Sequence, residues 1–378
     1  MIRIAFLAPF LATGGTQRHL QQVIRLLDRR RFAAEVLTLR AGGEIEAELR
    51  ADDVPVTSLS VGPRLTSARA ARAMLQAARQ LRAGGVHVVH GYQWRPALVG
   101  TIVARLAGVP LVLASKRSLT GADRRARLAW RVIGRRVDTL VVNADALRAE
   151  SAAHGIGARW AVIPSGVDPD RFAGAPSARE AKASLGLDPG RPVVGAVGRL
   201  EERKGHDHFL NAGWRMLAMA NGLRPQLLIV GDGPLRATLE RQALALGVAD
   251  SVRFTGGVGD VRVPLAAMDV FVLPSQAEGM SNALLEAMAA RRPVVATTVG
   301  GTSEVVEDER TGVLVPPVDP TLMARAVLGL LSDRPRAQRL AEAGRQRVVE
   351  HFSARAMVRR LEELYEERLA AQGTRVMA

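Results

Sequence analysis

Short runs of β-branched and apolar residues alternate along the whole chain with longer Ala/Leu/Arg segments whose apolar positions recur every three or four residues. The short runs predict buried strands and the longer ones helices, and their steady alternation predicts βα units closing a parallel sheet. In the first half the pattern places strands at Ile2 to Leu7, Ala34 to Leu39, Val86 to His90, Leu111 to Ser115, Thr139 to Val142 and Trp160 to Ile163. In the second half it places them at Val193 to Val197, Leu227 to Val230, Val252 to Thr255, Val270 to Leu273, Val294 to Ala296 and Val313 to Val315. Leu322 to Leu331, Arg336 to Val349 and Ala354 to Ala370 read as closing helices.

The periodicity lapses at Pro164-Ser165-Gly166-Val167-Asp168-Pro169 and in the Gly/Ala/Pro/Ser stretch up to Ser177, where turn-formers cluster. That is the expected domain boundary: an N-terminal acceptor-side domain over 1–166 and a C-terminal donor-binding domain over 167–353, with the helix 354–370 expected to pack back on the first. The 378-residue length fits two domains. The expected class is α/β, two Rossmann-like doubly wound domains facing across a cleft, with ligands at the carboxyl ends of the strands.

Composition narrows the chemistry. There is no cysteine, which excludes disulfides and thiolate metal sites, and the seven His show no HExxH-type spacing. No metal and no resident cofactor are expected. No apolar run approaches the 18 to 20 residues of a membrane span, and the apolar start Met1 to Pro9 reads as a first strand and not a secretion signal. The expected location is cytoplasmic, with peripheral contact at the inner face of the membrane as an added reading. Of the +15 net charge, most lies early: residues 1–170 hold 25 Lys+Arg against 13 Asp+Glu, and residues 171–378 hold 27 against 24. Such a surplus attracts anionic partners; an Arg-rich coding bias is the plainer explanation.

Two segments look chemical. Pro274 to Met288 follows a strand and opens a helix, with Ser281 or Asn282 as N-cap, so backbone N–H groups and a positive dipole end face any phosphate there. Glu278 lies in its loop and Glu286 in its helix; both also read as ordinary solvated acids. Val197 to His206 also follows a strand. Its Gly198 reads as the residue that lets the turn form tightly, and Arg199 and Lys204 bring a guanidinium fork and a point cation, as a diphosphate needs, or simply a charged surface.

Together these segments resemble glycosyltransferase family 4, the glycosyl transferases group 1, retaining enzymes of the GT-B fold. Glu278-Gly279-Met280-Ser281-Asn282 through Glu286-Ala287-Met288 carries the resemblance most closely. Gly14-Gly15-Thr16-Gln17-Arg18, Ile163 to Asp168 with Phe172, Gly231 to Leu235, and Val299-Gly300-Gly301 with Glu304 extend it over nearly the whole chain. The resemblance implies a nucleotide-sugar donor and a glycan, lipid-linked or small-molecule acceptor, in polysaccharide or glycolipid assembly. It implies that Arg199 and Lys204 hold the donor diphosphate, Glu286 the ribose, and Glu278 the transferred sugar beside the N–H groups of Gly279 to Asn282. Residues after the Gly231 turn and around Thr255 to Val258 would lie near the base. Gly14 and Gly15 would let backbone approach the donor, and His90 would end its strand facing the cleft as a catalytic group, although a lone His is as often structural.

Two positions depart from the family pattern. Ser115-Lys116-Arg117 stands where relatives usually carry a pocket His, with Lys116 or Arg117 as its replacement, and Ser165 stands where Asn is common, which puts a side-chain hydrogen bond there in doubt. Arg124 to Arg136 combines six Arg with Leu128, Trp130, Val132 and Ile133, a composition that suits either an anionic membrane surface or a core-packed helix with a basic outer face. The alternatives are a same-fold nucleotide-sugar epimerase and a non-catalytic basic membrane- or nucleic-acid-binding protein. No helix-turn-helix, RNP or KH motif supports nucleic acid as a partner, and only two Tyr are available for stacking. The oligomeric state is not indicated.

Overall fold

The computed structural model describes residues 1–12, 14–62, 64–119, 123–219 and 222–373. The chain divides into two compact units: unit 1 is Met1–Ser165 with the helix that begins at Ala354, and unit 2 is Gly166–Ser353.

Unit 1 contains one sheet of seven strands: β1 (Ile2–Ala8), β2 (Phe32–Thr38), β3 (Val56–Ser58), β4 (Val88–Tyr92), β5 (Leu111–Lys116), β6 (Thr139–Val142) and β7 (Trp160–Val162). They run in the order β3-β2-β1-β4-β5-β6-β7 and every pairing is parallel. The sequence pattern passes over β3, a three-residue edge strand directly after Pro55, too short to show a period. It also ends β4 too early: the strand continues through Gly91 and Tyr92. Gly91 makes this continuation possible, because a Cβ there would crowd the backbone of Ala97 in the following helix, Trp94–Ala107.

Both faces of this sheet are covered. One carries helix Gly15–Leu26 and the C-terminal helix Ala354–Ala371, whose Met357, Val358, Leu361, Leu364, Tyr365 and Leu369 enter the core beside Phe6 and Phe32. Each such apolar side chain removed from water contributes about 2 kcal/mol before entropy, enough to hold the helix far from its sequence neighbours. Glu362 adds a polar anchor, accepting from the Asp28 N–H at 2.8 Å. The opposite face is covered by helices Ala68–Ala83, Trp94–Ala107 and Arg124–Gly134.

Unit 2 has six parallel strands: β8 (Val193–Val197), β9 (Gln226–Val230), β10 (Val252–Gly256), β11 (Val270–Leu273), β12 (Val294–Thr297) and β13 (Val313–Val315). Their order is β10-β9-β8-β11-β12-β13. Both units are therefore doubly wound α/β sheets, as the alternation predicts. In each, strand order reverses at the first strand, between β1 and β4 and between β8 and β11, and connections to either side of such a point diverge, leaving room above the carboxyl ends.

Candidate functional site

The two chemical segments of unit 2 follow β8 and β11, the strands that flank its switch point. Backbone contacts lock them together. The Gln276 N–H donates to the Arg203 carbonyl at 2.9 Å, and Gly205, at φ 65°, lies so close to the Pro274 carbonyl that a Cβ would overlap it. From β12, Gly300 at φ 51° packs on the Glu278 carbonyl with no space for a Cβ, and the Gly301 N–H donates to the Gly279 carbonyl at 2.7 Å. The turn after β8 is tight for a reason other than the one expected. Gly198 has ordinary space around its Cβ position, and it is Gly231, at φ 138°, whose Cβ would overlap the Gly198 carbonyl.

This packing brings Lys204 and Glu278 together. The Lys204 ammonium donates to Glu278 Oε1 at 2.5 Å, and the Ser275 hydroxyl donates to the same oxygen at 2.7 Å. Glu278 is only 4% exposed. Ser281 caps the helix Asn282–Ala289, its hydroxyl accepting from the Leu284 N–H at 3.4 Å, while the Met280 side chain turns into the core. Arg199 reaches outward, its side chain 70% exposed and its Nε 3.6 Å from Glu201. Glu286, half-buried, lies 3.8 Å from the Arg171 guanidinium. His206, which closes the β8 segment, is buried, and burial first and the nearby Lys204 charge second push its pKa down to about 4. It is a neutral imidazole beside the cation. Among the described residues no three His, Asp or Glu side chains gather as a metal site.

In unit 1 the arrangement differs from expectation. His90 is fully buried inside β4, with Nδ1 2.6 Å from the Tyr365 hydroxyl and Nε2 2.8 Å from Ser115 Oγ. A ring with both nitrogens taken offers neither a lone pair nor a proton to a ligand, so the expected cleft-facing role is corrected to a structural one. Burial, followed by the Arg117 charge, pushes its pKa down to about 3. Lys116 is likewise internal, paired with Glu150 at 2.9 Å. Arg117 lies 3.1 Å from His19 Nε2 and donates to Ser165 Oγ at 2.9 Å. Ser165 also accepts from Asn143 at 3.3 Å, so the hydrogen bond placed in doubt by the missing Asn is made. Gly14 caps helix Gly15–Leu26 in extended backbone, and a Cβ there would meet the amide end of Gln17, which donates to the Phe10 carbonyl at 3.2 Å. Of the cluster around His90, the sequence reading missed His19 and Tyr365: Tyr365 lies 275 residues away in the chain, and His19 comes directly after the Gly14 to Arg18 motif, which was the signal that could have found it.

Helix Arg124–Gly134 divides its apolar residues. Trp130 and Ile133 are buried, as a core-packed helix requires, whereas Leu128 and Val132 are 61% and 46% exposed among the arginines.

Comparison with known proteins places this geometry. Residues 191–333 match the family model of glycosyl transferases group 1, and residues 14–166 match the glycosyl transferase 4-like domain. The chain is 38% identical over 260 residues to a GDP-mannose-dependent alpha-(1-6)-phosphatidylinositol monomannoside mannosyltransferase of Mycolicibacterium smegmatis, covering 65% of this chain and 67% of that one. It is 31% identical over 354 residues to a D-inositol 3-phosphate glycosyltransferase of Streptomyces scabiei, covering 85% and 79%. Its fold matches that of Anabaena HepE, solved in complex with UDP and glucose, with a TM-score of 0.86 at 22% identity over 97% of this chain and 100% of that one. With two glycosyltransferase models covering both halves and relatives above 30% identity over most of their length, the chain belongs to the family 4, group 1 glycosyltransferases.

Proposed function

We propose that this chain is a retaining hexosyltransferase that takes a sugar from a nucleotide-diphosphate donor and places it on a glycan, lipid-linked or small-molecule acceptor in polysaccharide or glycolipid assembly. The observation that carries this reading is the Lys204–Glu278–Ser275 cluster, set at the unit 2 switch point by loops locked through backbone and followed by a capped helix start. Lys204 and Arg199 supply fixed cations to the donor diphosphate and stabilise the charge that develops on the departing nucleotide, so no metal is required for that step. The backbone from Gly279 to Asn282 presents a helix N-terminus to phosphate oxygens. Glu278 accepts from the hydroxyls of the transferred sugar, and Glu286 from those of the ribose. Donor binding exchanges the Lys204–Glu278 ion pair for one contact to phosphate and one to sugar.

Retention is assigned to a same-face route. The bond from the anomeric carbon to the leaving phosphate oxygen breaks, the acceptor oxygen bonds to the same face, and the acceptor proton passes to that phosphate oxygen. A trapped covalent glycosyl-enzyme would refute this. The relative named for GDP-mannose and the fold neighbour holding UDP and glucose support a nucleotide-linked sugar donor and differ in base. The test is turnover of a panel of UDP- and GDP-sugars, with Lys204→Ala and Glu278→Gln expected to lower kcat/KM by about 10² to 10³. Absence of turnover across the panel, or variants as active as the parent, overturns the reading.

Peripheral membrane association belongs to the same proposal. Helices Ala68–Ala83, Trp94–Ala107 and Arg124–Gly134 pack side by side in unit 1 and together contain ten Arg and no Asp or Glu. Leu75, Ile102, Leu106, Leu128 and Val132 are exposed among them, the mixture that suits an anionic bilayer. Replacing Arg124, Arg125 and Arg127 by Gln is expected to weaken binding to phosphatidylglycerol vesicles about 100-fold, at about 1 kcal/mol per Arg. Undiminished sedimentation with vesicles counts against it.

A further inference from the structure

His206 opens the helix His206–Met219 directly behind Lys204 and is only 3% exposed. Both of its ring nitrogens are buried, and neither finds a hydrogen-bond partner among the described residues. Nε2 lies 3.6 Å from the point that a Cβ on Gly198 would occupy, and the Lys204 side chain borders the same point at 3.7 Å. The imidazole therefore faces the turn between β8 and Lys204. Gly205, in left-handed backbone against the Pro274 carbonyl, fixes the chain between the two residues, so the backbone that carries the ring has no room to shift. Buried polar atoms are nearly always paired, and an unpaired ring beside a binding cation calls for a use. Charge explains its state without a ligand. Burial and the Lys204 ammonium oppose a second cation there, and the Gly198 and Arg199 carbonyls with the Asp207 carboxylate favour one less strongly, so the ring is neutral. Glu278, on the facing β11 segment, is taken up by Lys204 and Ser275, and His208 lies against Gln276.

We propose that His206 is a positioning residue that becomes protonated when a donor diphosphate settles on Lys204, so that donor binding draws a proton from solution; the assignment rests on the proposed donor site. The two phosphates of a nucleotide-sugar bring two negative charges, which cancel the ammonium charge that keeps the ring neutral. The free ring nitrogen then gains a proton from the buffer, an N–H bond forms, and the imidazolium donates toward the Gly198 and Arg199 carbonyls. Its charge stands behind Lys204 and draws that loop toward the phosphates. When the sugar leaves, the nucleotide gains one further negative charge, and a cation beyond Arg199 and Lys204 is close enough to stabilise it.

The experiment is calorimetric titration of the full chain with GDP-mannose and UDP-glucose at pH 5.5 and pH 7.5, in paired buffers of low and high ionisation enthalpy. Neither probe titrates in that range, so heat that changes with the buffer reports protons taken up by the protein. The probe that binds is expected to bind about fivefold more tightly at pH 5.5 than at pH 7.5 and to bring in roughly 0.7 proton at the lower pH. His206→Gln, at unchanged Tm, is expected to lose both effects, and His208→Gln to keep them. The proton count of the parent chain needs no variant. Binding by the parent without proton uptake, or uptake that persists in His206→Gln, overturns the inference and leaves the donor site standing. Absence of binding by every UDP- and GDP-sugar overturns the donor site and the inference with it.

Discussion

The two switch points share a topology and use their charged side chains in opposite ways. In unit 2 the loops are held to one another through backbone: Gly205 on Pro274, Gly231 on Gly198, Gly300 on Glu278. Because glycine and carbonyl groups hold the loops, Lys204 and Glu278 meet each other at the carboxyl ends of the strands, and Arg199 reaches outward beside them. In unit 1 side chains add ties of their own around His90, beside backbone contacts such as Gly91 on Ala97. Lys116 is spent on Glu150, Arg117 on His19 and Ser165, and His90 on Tyr365 and Ser115. A charge used as an internal tie is desolvated and satisfied, and it has little left to offer a ligand.

The sharpest probe of this contrast is glycine substitution. Gly300→Ala forces a Cβ onto the Glu278 carbonyl at a left-handed φ and is expected to cost about 3 kcal/mol in denaturant unfolding, and to weaken binding of the nucleotide diphosphate that the donor panel selects. Gly14→Ala, in extended backbone against the end of the Gln17 side chain and not against backbone, is expected to cost about 1 kcal/mol or less. Equal losses at the two positions would mean that backbone packing does not distinguish the units.

A smaller effect separates them by pH. His90 has a folded pKa of about 3, below the value of about 6.5 in an unfolded chain, so the fold requires the neutral ring. Its contribution is complete above about pH 6.5 and is lost as pH falls through the window down to 3, amounting to about 2 kcal/mol between pH 7 and pH 5. His90→Gln is therefore expected to flatten the fall of the urea midpoint over that range. An unchanged slope in the variant would place the titrating group elsewhere.

Much of the fold was legible because strand and helix periods are local. All six strands of unit 2 and the three closing helices follow from apolar spacing, and the cap before the apolar run was readable as Ser281 or Asn282, of which the structure uses Ser281. What escaped was non-local or lacked a pattern. β3 is too short to show a period, Tyr365 reaches His90 only after the whole of unit 2 has intervened, and Gly231 rather than Gly198 carries the tight approach because the obstacle comes from a different strand.

The order of residue types along the chain was sufficient for the α/β alternation, the place of the break near Ser165, the family, and the identity of the Lys204 and Glu278 segments, since each is written in neighbouring positions. Whether a given His, Lys or Arg is exposed to a ligand or consumed inside was decided only by tertiary structure. Burial and partner choice depend on which distant segments meet, as His90 shows by being closed off by one hydroxyl from the C-terminal helix.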